Sequence, residues 1–240
     1  LKQDLRDLIR NKPWLVLLVI GLLFNVYNSI KQGIVVIYFT HYLNNQLLAG
    51  TYLGGLMVAS IAGAMGTRFL GRKMGKRNLF IAALIFSGLV NALLVFCNPG
   101  DLYPIFALGM VSEFASAIFP TLFFAMLGDA ADFSEFRTGL VYSAGSFATK
   151  FGGGIAGAII GLILGAYHYS GHDSAAIQAA IPGIRMLMSW IPALVAFIAA
   201  ALMTLYPLTR QKMDEITVTL ALRRAGENDE TTQTDQYQVN

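Results

Sequence analysis

Six uninterrupted apolar runs, separated by short polar or Gly/Pro-containing breaks, constrain this chain more than any other feature. A bilayer's hydrocarbon core of about 30 Å is crossed by about 20 helical residues, and each run approaches or exceeds that length. The runs extend approximately over Trp14–Tyr38, Gly50–Thr67, Leu79–Cys97, Leu102–Leu127, Gly139–Tyr167 and Met186–Tyr206. Between them lie His41–Ala49, Arg68–Asn78, Asn98–Asp101, Gly128–Thr138 and His168–Arg185. With 55% hydrophobic and only 13% charged residues among 240, no water-soluble fold of this size hides so much apolar surface. A membrane β-barrel would alternate apolar and polar residues in short segments, and these runs do not alternate. The expected fold class is therefore an all-α integral membrane protein, a six-transmembrane-helix bundle over 14–206. Residues 1–13 form an amphipathic, charged lead, and 207–240 a polar tail with the composition of a disordered segment.

The formal net charge of +3 would suggest nucleic acid in a soluble protein, but here the basic residues occupy the gaps between runs. No nucleic-acid partner is expected; the lipid bilayer is. Lys2, Arg6, Arg10 and Lys12 precede the first run, Arg68, Arg72, Lys73, Lys76 and Arg77 fill the second gap, and Arg137 lies in the fourth. Arg210, Lys212, Arg223 and Arg224 follow the last run, whereas the first, third and fifth gaps lack Lys and Arg up to Arg185. By the preference of basic loops for the cytoplasm, both ends of the chain are expected on the cytoplasmic side of a multi-pass protein. Cys97 is the single cysteine, which excludes an internal disulfide and a cysteine-based metal site. The first apolar run is too long for a cleavable signal peptide. The chain starts at Leu1, as a segment of a longer protein would.

Within the runs, Lys31, Glu113 and Lys150 are the charged residues. Lys150 lies about 17 Å along its helix, at mid-membrane depth, where an ammonium must meet a partner or water. Ser143, Ser146 and Thr149 stand on its N-terminal side, with Ser146 one turn away on the same face. Glu113 reaches a comparable depth from the opposite surface and is a possible midplane partner for Lys150. Lys31, about 26 Å up the first span, is placed to snorkel outward. Asn25, Asn28, Ser29 and Gln32 make one face of that span too polar for lipid, so the face is expected to line a cavity.

Gly153, Gly157, Gly161 and Gly165 recur at every fourth position, the pattern of close helix packing. Phe119, Phe123 and Phe124 read as packing aromatics rather than a stacking site. Asp129-x-x-Asp132 has the hard oxygen ligands that suit Mg2+, so a membrane-embedded Mg2+-dependent transferase is an alternative, though such enzymes need a second Asp-rich motif. His168, His172 and Asp173 have ligand-like spacing in a loop but lack a further protein ligand, so no metal site is expected.

The stretch Asp129-Ala-Ala-Asp132-Phe-Ser-Glu135-Phe-Arg137-Thr-Gly, followed by Leu-Val-Tyr142-Ser-Ala-Gly-Ser146-Phe-Ala-Thr149-Lys150-Phe-Gly-Gly, resembles a loop and helix of the glycoside-pentoside-hexuronide:cation symporters. These form the melibiose-permease-like branch of the major facilitator superfamily. Gly33-Ile-Val-Val-Ile-Tyr-Phe-Thr40, the basic gap Arg68-Phe-Leu-Gly-Arg-Lys-Met-Gly75-Lys76-Arg77 and the lead from Lys2 to Pro13 agree with it. The resemblance implies the C-terminal half of a two-half transporter, with 1–13 as the cytoplasmic end of its central loop. It implies no enzyme and no catalytic residue. Its partners would be a sugar or glycoside and the N-terminal six-helix half, and its location a bacterial inner membrane. The implied activity is secondary active symport with Na+ or H+ by alternating access. The coupling cation would be bound mainly by the first half, with no further cofactor. By position, Lys150, Ser146 and Thr149 match residues at substrate and coupling. Asp129, Asp132, Glu135 and Arg137 match a cytoplasmic gate. Two departures stand out: the loop after Arg137 is shorter than the family's, and Pro120 replaces an aromatic.

Overall fold

The computed structural model describes residues 12–134 and 138–207, with the backbone alone for 129–134, 138–142, 144 and 149. The lead up to residue 11, Glu135, Phe136, Arg137 and the tail from 208 lie outside the described residues, whereas the backbone after Arg137, where the family's loop is longer, is already helical from Thr138. The described residues fold into helices long and apolar enough for six membrane spans, and no strand occurs among them. Helix α1 (Lys12–Gly33) continues through Val35–Ile37 and a π-helical turn, Tyr38–Tyr42, as the first span. Helix α2 (Leu47–Met74) is the second, and α3 (Lys76–Ala92), tightened at its end into a 3-10 turn, is the third. The fourth span is α4 (Leu102–Ser116) with α5 (Ile118–Ser134), and the fifth is α6 (Thr138–Ala166). The sixth is α7 (Ser174–Met188) with α8 (Trp190–Met203).

The two broken spans have a chemical cause. Proline has no N–H and its ring crowds the carbonyl four residues back, so Pro120 disrupts the helix at Ser116 and Pro192 at Met188. The second break is repaired from another helix. Buried Asn91 on α3 donates its amide to the carbonyls of Met188 (3.0 Å) and Ser189 (3.1 Å).

Three expected boundaries move. The sixth span begins at Ser174 rather than Met186, because Asp173 caps it by accepting the Ala175 N–H at 2.9 Å. Helix α2 runs on past Thr67 to Met74, carrying Arg68, Arg72 and Lys73 on its last turns. The break after it is confined to Gly75, whose φ of 77° favours glycine. The acidic stretch expected as a loop is helical as far as Ser134, so Asp129 and Asp132 lie on α5.

Packing runs in the order α2, α4, α3, α8, α1, α6, each helix against the next, with α5 touching α1, α2, α3 and α6. Helices α2 and α6 end this sequence, and the consequence is visible in their burial. Only 22% and 18% of their apolar windows are buried, against 50% to 61% in the other spans. Phe119 and Phe123 stack at 5.2 Å between centroids in the interior, whereas Phe124 is exposed.

The contact of α1 with α6 depends on Gly152. A Cβ there would lie 2.7 Å from the Leu22 carbonyl oxygen and 2.8 Å from Asn25 Cβ. Gly152→Val is expected to force the two helices apart and cost about 1–3 kcal/mol. Thermal unfolding of this chain in detergent measures it, with Gly157→Val, where nothing lies within 4 Å, as the neutral control. The glycine stripe expected to pack is thus largely open: Gly157, Gly161 and Gly165 meet no neighbour, and Gly153 only nears the Ser29 hydroxyl.

Candidate functional site

Span 1 distributes its polar side chains in separate directions. Tyr27 and Lys31, one turn apart, face α3 and α4 and are fully buried. The Lys31 ammonium donates to Glu113 Oε2 at 2.7 Å and to Ser112 Oγ at 3.2 Å. It also lies 5.6 Å from the Tyr27 ring centroid. Tyr27 OH meets Ser87 Oγ at 2.5 Å, and Ser87 and Ser112 donate reciprocally to each other's backbone carbonyls at 2.9 and 3.1 Å. One compact network thus joins α1, α3 and α4 around an ion pair. In the low dielectric of this interior, mutual pairing and added hydrogen bonds make the two buried charges tolerable.

Two expectations are corrected by this geometry. Lys31 does not snorkel: its span continues to Tyr42, so the nearest compensation is the Glu113 carboxylate beside it rather than the membrane surface. Glu113 pairs with Lys31 and not with Lys150, because Lys31 is turned towards α4 while Lys150 stands on an exposed side of α6. The hydroxyls of Ser87 and Ser112 and the amide of Asn91, all fully buried, hold these contacts and are not singled out by the sequence. Their only signal in the sequence is isolation within strongly apolar runs.

Lys150 lies near the middle of the 29-residue α6, and its side chain is exposed. Ser143, Ser146 and Phe147 are exposed on the same face one to two turns before it, and Gly154, Gly157 and Gly161 after it. Among the described residues no carboxylate pairs with Lys150. Thr149, Asp129 and Asp132 are placed by their backbone alone, and Glu135 and Arg137 lie outside the described residues, so the gate's side-chain geometry is not part of this site. Asn28 is half-buried and Gln32 exposed, with Gln32 Nε2 donating to Asn28 Oδ1 at 3.3 Å. Asn25 and Ser29 turn instead towards Gly152 and Gly153 of α6.

At the other end of span 1, Tyr42 OH donates to the Cys97 carbonyl at 2.9 Å and His41 Nε2 meets Tyr169 OH at 2.8 Å. Arg185 reaches the Val95 carbonyl and stacks over the Tyr42 ring at 5.2 Å. These contacts close one end of the bundle. Asp173 serves as the α7 cap, and no cluster of three or more His, Cys, Asp or Glu capable of holding a metal ion occurs among the described residues.

A family described as MFS/sugar transport protein matches residues 1–210. The isoprimeverose transporter of Lactiplantibacillus pentosus is 28% identical over 90% of this chain and 45% of its own length. The glucuronide carrier protein homolog of Escherichia coli is 27% identical over 92% of this chain and 50% of its own. A candidate glycoside/cation symporter of Escherichia coli is 26% identical over 95% and 50%. The chain spans about half the length of the curated relatives it matches. These relatives are named as transporters, and the match gives no support to the Mg2+-dependent transferase.

Proposed function

Because the chain belongs to the MFS/sugar transport protein family, we propose that it works as the C-terminal six-helix half of a sugar or glycoside symporter coupled to Na+ or H+. The observation that carries this reading is the pattern of intramembrane charge. Lys31 and Glu113 neutralise each other inside the bundle, while Lys150 stands exposed at mid-span without a described counter-charge. An ammonium at that depth is tolerable where a water-filled path or a partner from outside this chain meets it. Lys150 and Ser146, with Thr149, supply the substrate and coupling contacts of this half. A lysine offers charge and donors, and hydroxyls both donate and accept, which suits a polyhydroxylated ligand.

The sparsely buried faces of α2 and α6 take the N-terminal half, which supplies most of the cation site. Relatives twice as long provide the space for such a half. The described half moves as a unit, because the Lys31–Glu113 network and the Asn91 bridge stiffen it across α1, α3, α4 and the sixth span. Rocking of this unit against the other half opens the midplane site to each side in turn. Asp129, Asp132, Glu135 and Arg137 close the cytoplasmic side.

The test is uptake by the full-length protein in sealed vesicles. A Na+ or H+ gradient is expected to drive glycoside accumulation that an ionophore abolishes. Accumulation by the 240 residues alone, or its absence for every glycoside in the full-length protein, overturns the reading. The orientation has its own check. Single cysteines at the exposed positions Asn45 and Ser174 are expected to react with an impermeant maleimide from outside, and one at Asn78 only after permeabilisation. Labelling of position 78 in intact cells reverses the topology.

A further inference from the structure

We propose that the amides of Asn28 and Gln32 form a hydroxyl-recognising subsite on the transport path, and that the buried Lys31–Glu113 pair is the positioning device that turns them towards it. This deepens the transport reading above and rests on it. Asn28, Lys31 and Gln32 share one turn of α1, so the direction of one fixes the direction of the others. Lys31 is completely buried, tied to Glu113 and Ser112 of α4, and Tyr27 one turn earlier is tied to Ser87 of α3. A helix held on one side by a charge-assisted bond cannot rotate without breaking it inside a low-dielectric interior. Asn28 and Gln32 stand on the flank of α1 beside that anchor, about 60° and 100° round the helix from Lys31.

Their chemistry selects the ligand. A carboxamide carries both donors and an acceptor and no charge, so it matches a sugar hydroxyl, which also donates and accepts, better than a cation or a phosphate. The Gln32 to Asn28 bond at 3.3 Å orients the pair and leaves donors and acceptors on both amides unused. Facing hydrocarbon, those unused groups would be costly; facing a hydrated path, they are available. Ser29 and Asn25 are turned against α6 instead, which leaves Asn28 and Gln32 as the accessible amides of this span.

The experiment uses the full-length protein with its other cysteines removed, including Cys97→Ser, and Gln32→Cys as the reporter. A transported glycoside is expected to slow maleimide alkylation of that reporter about tenfold, the effect of shielding by a bound ligand at tenfold its Kd. With Gln32 intact, the charge-free double variant Lys31→Met/Glu113→Gln keeps the bundle folded but frees the rotation. Its KM for uptake is expected to rise about tenfold, the loss of a hydrogen bond or two, with kcat changed less than twofold. Introduced into the reporter, the same double variant cuts the sugar protection to about twofold at the same sugar concentration. The charge-reversed pair Lys31→Glu/Glu113→Lys restores both the KM and the protection. Absence of sugar protection at position 32, or a double variant with wild-type KM and protection, overturns this proposal while leaving transport standing. A full-length protein that moves no glycoside removes the transport reading and the subsite together, and the two failures are therefore distinct.

Discussion

Lys150→Ala in the full-length protein is expected to abolish sugar accumulation against a gradient while the protein still inserts in the membrane at normal levels. A mid-membrane lysine costs about 2.5–3.5 kcal/mol on insertion scales, so its removal relieves insertion rather than impairing it. The described packing does not need it either, since its side chain is exposed and the interior charge is balanced without it. If Lys150 were the counter-ion of Glu113, the double variant Lys150→Ala/Glu113→Ala would recover transport. With Glu113 held by Lys31 at 2.7 Å, no recovery is expected, and the double variant is expected to be worse than the single one. Vesicle uptake beside a surface-expression measurement decides it. Gradient-driven accumulation by Lys150→Ala at the wild-type level would remove the residue from the coupling site.

The second large effect is on stability. Lys31→Ala leaves the Glu113 carboxylate buried without its cation, and Glu113→Ala leaves the ammonium without its anion. Each is expected to destabilise the bundle by about 3–5 kcal/mol, the usual consequence of breaking a buried ion pair. Replacing both by apolar residues of similar volume, Lys31→Met/Glu113→Leu, is expected to return to within about 1–2 kcal/mol of wild type, because no charge is stranded. Thermal unfolding in detergent, arranged as a double-mutant cycle, separates the pair's coupling from the single effects. Additive losses in the double variant would mean that the two residues do not form the pair. Recovery of stability is compatible with impaired substrate affinity, since the pair's charge holds α1 in rotation and an apolar pair fills the space without directing it.

Hydropathy acts along the chain, and so the number of spans and their helical class were legible without coordinates. Each of those properties depends on an individual residue's cost of transfer to lipid, which no distant contact changes much. Element ends were less legible. The sequence alone did not reveal that a helix starts twelve residues before the last apolar run, because Pro182 and Gly183 read as a break while the Asp173 cap and the buried Ala180 and Ile184 carry the helix through it. Nor did hydropathy expose the breaks after Ser116 and Met188, although Pro120 and Pro192 carry their cause. Charge partners were beyond the sequence altogether. Depth along a helix left Lys31 near the outer surface and Glu113 at the midplane because the first span is longer than its apolar run, and depth says nothing of azimuth, which is set by which helices touch. Packing of α1 between α8 and α6 turns Tyr27 and Lys31 inward to α3 and α4 and brings Lys31 to Glu113, and the open side of α6 leaves Lys150 apart from both. A pair energy that falls off over a few ångströms is decided by that rotation, a property of the assembled bundle and of no single run.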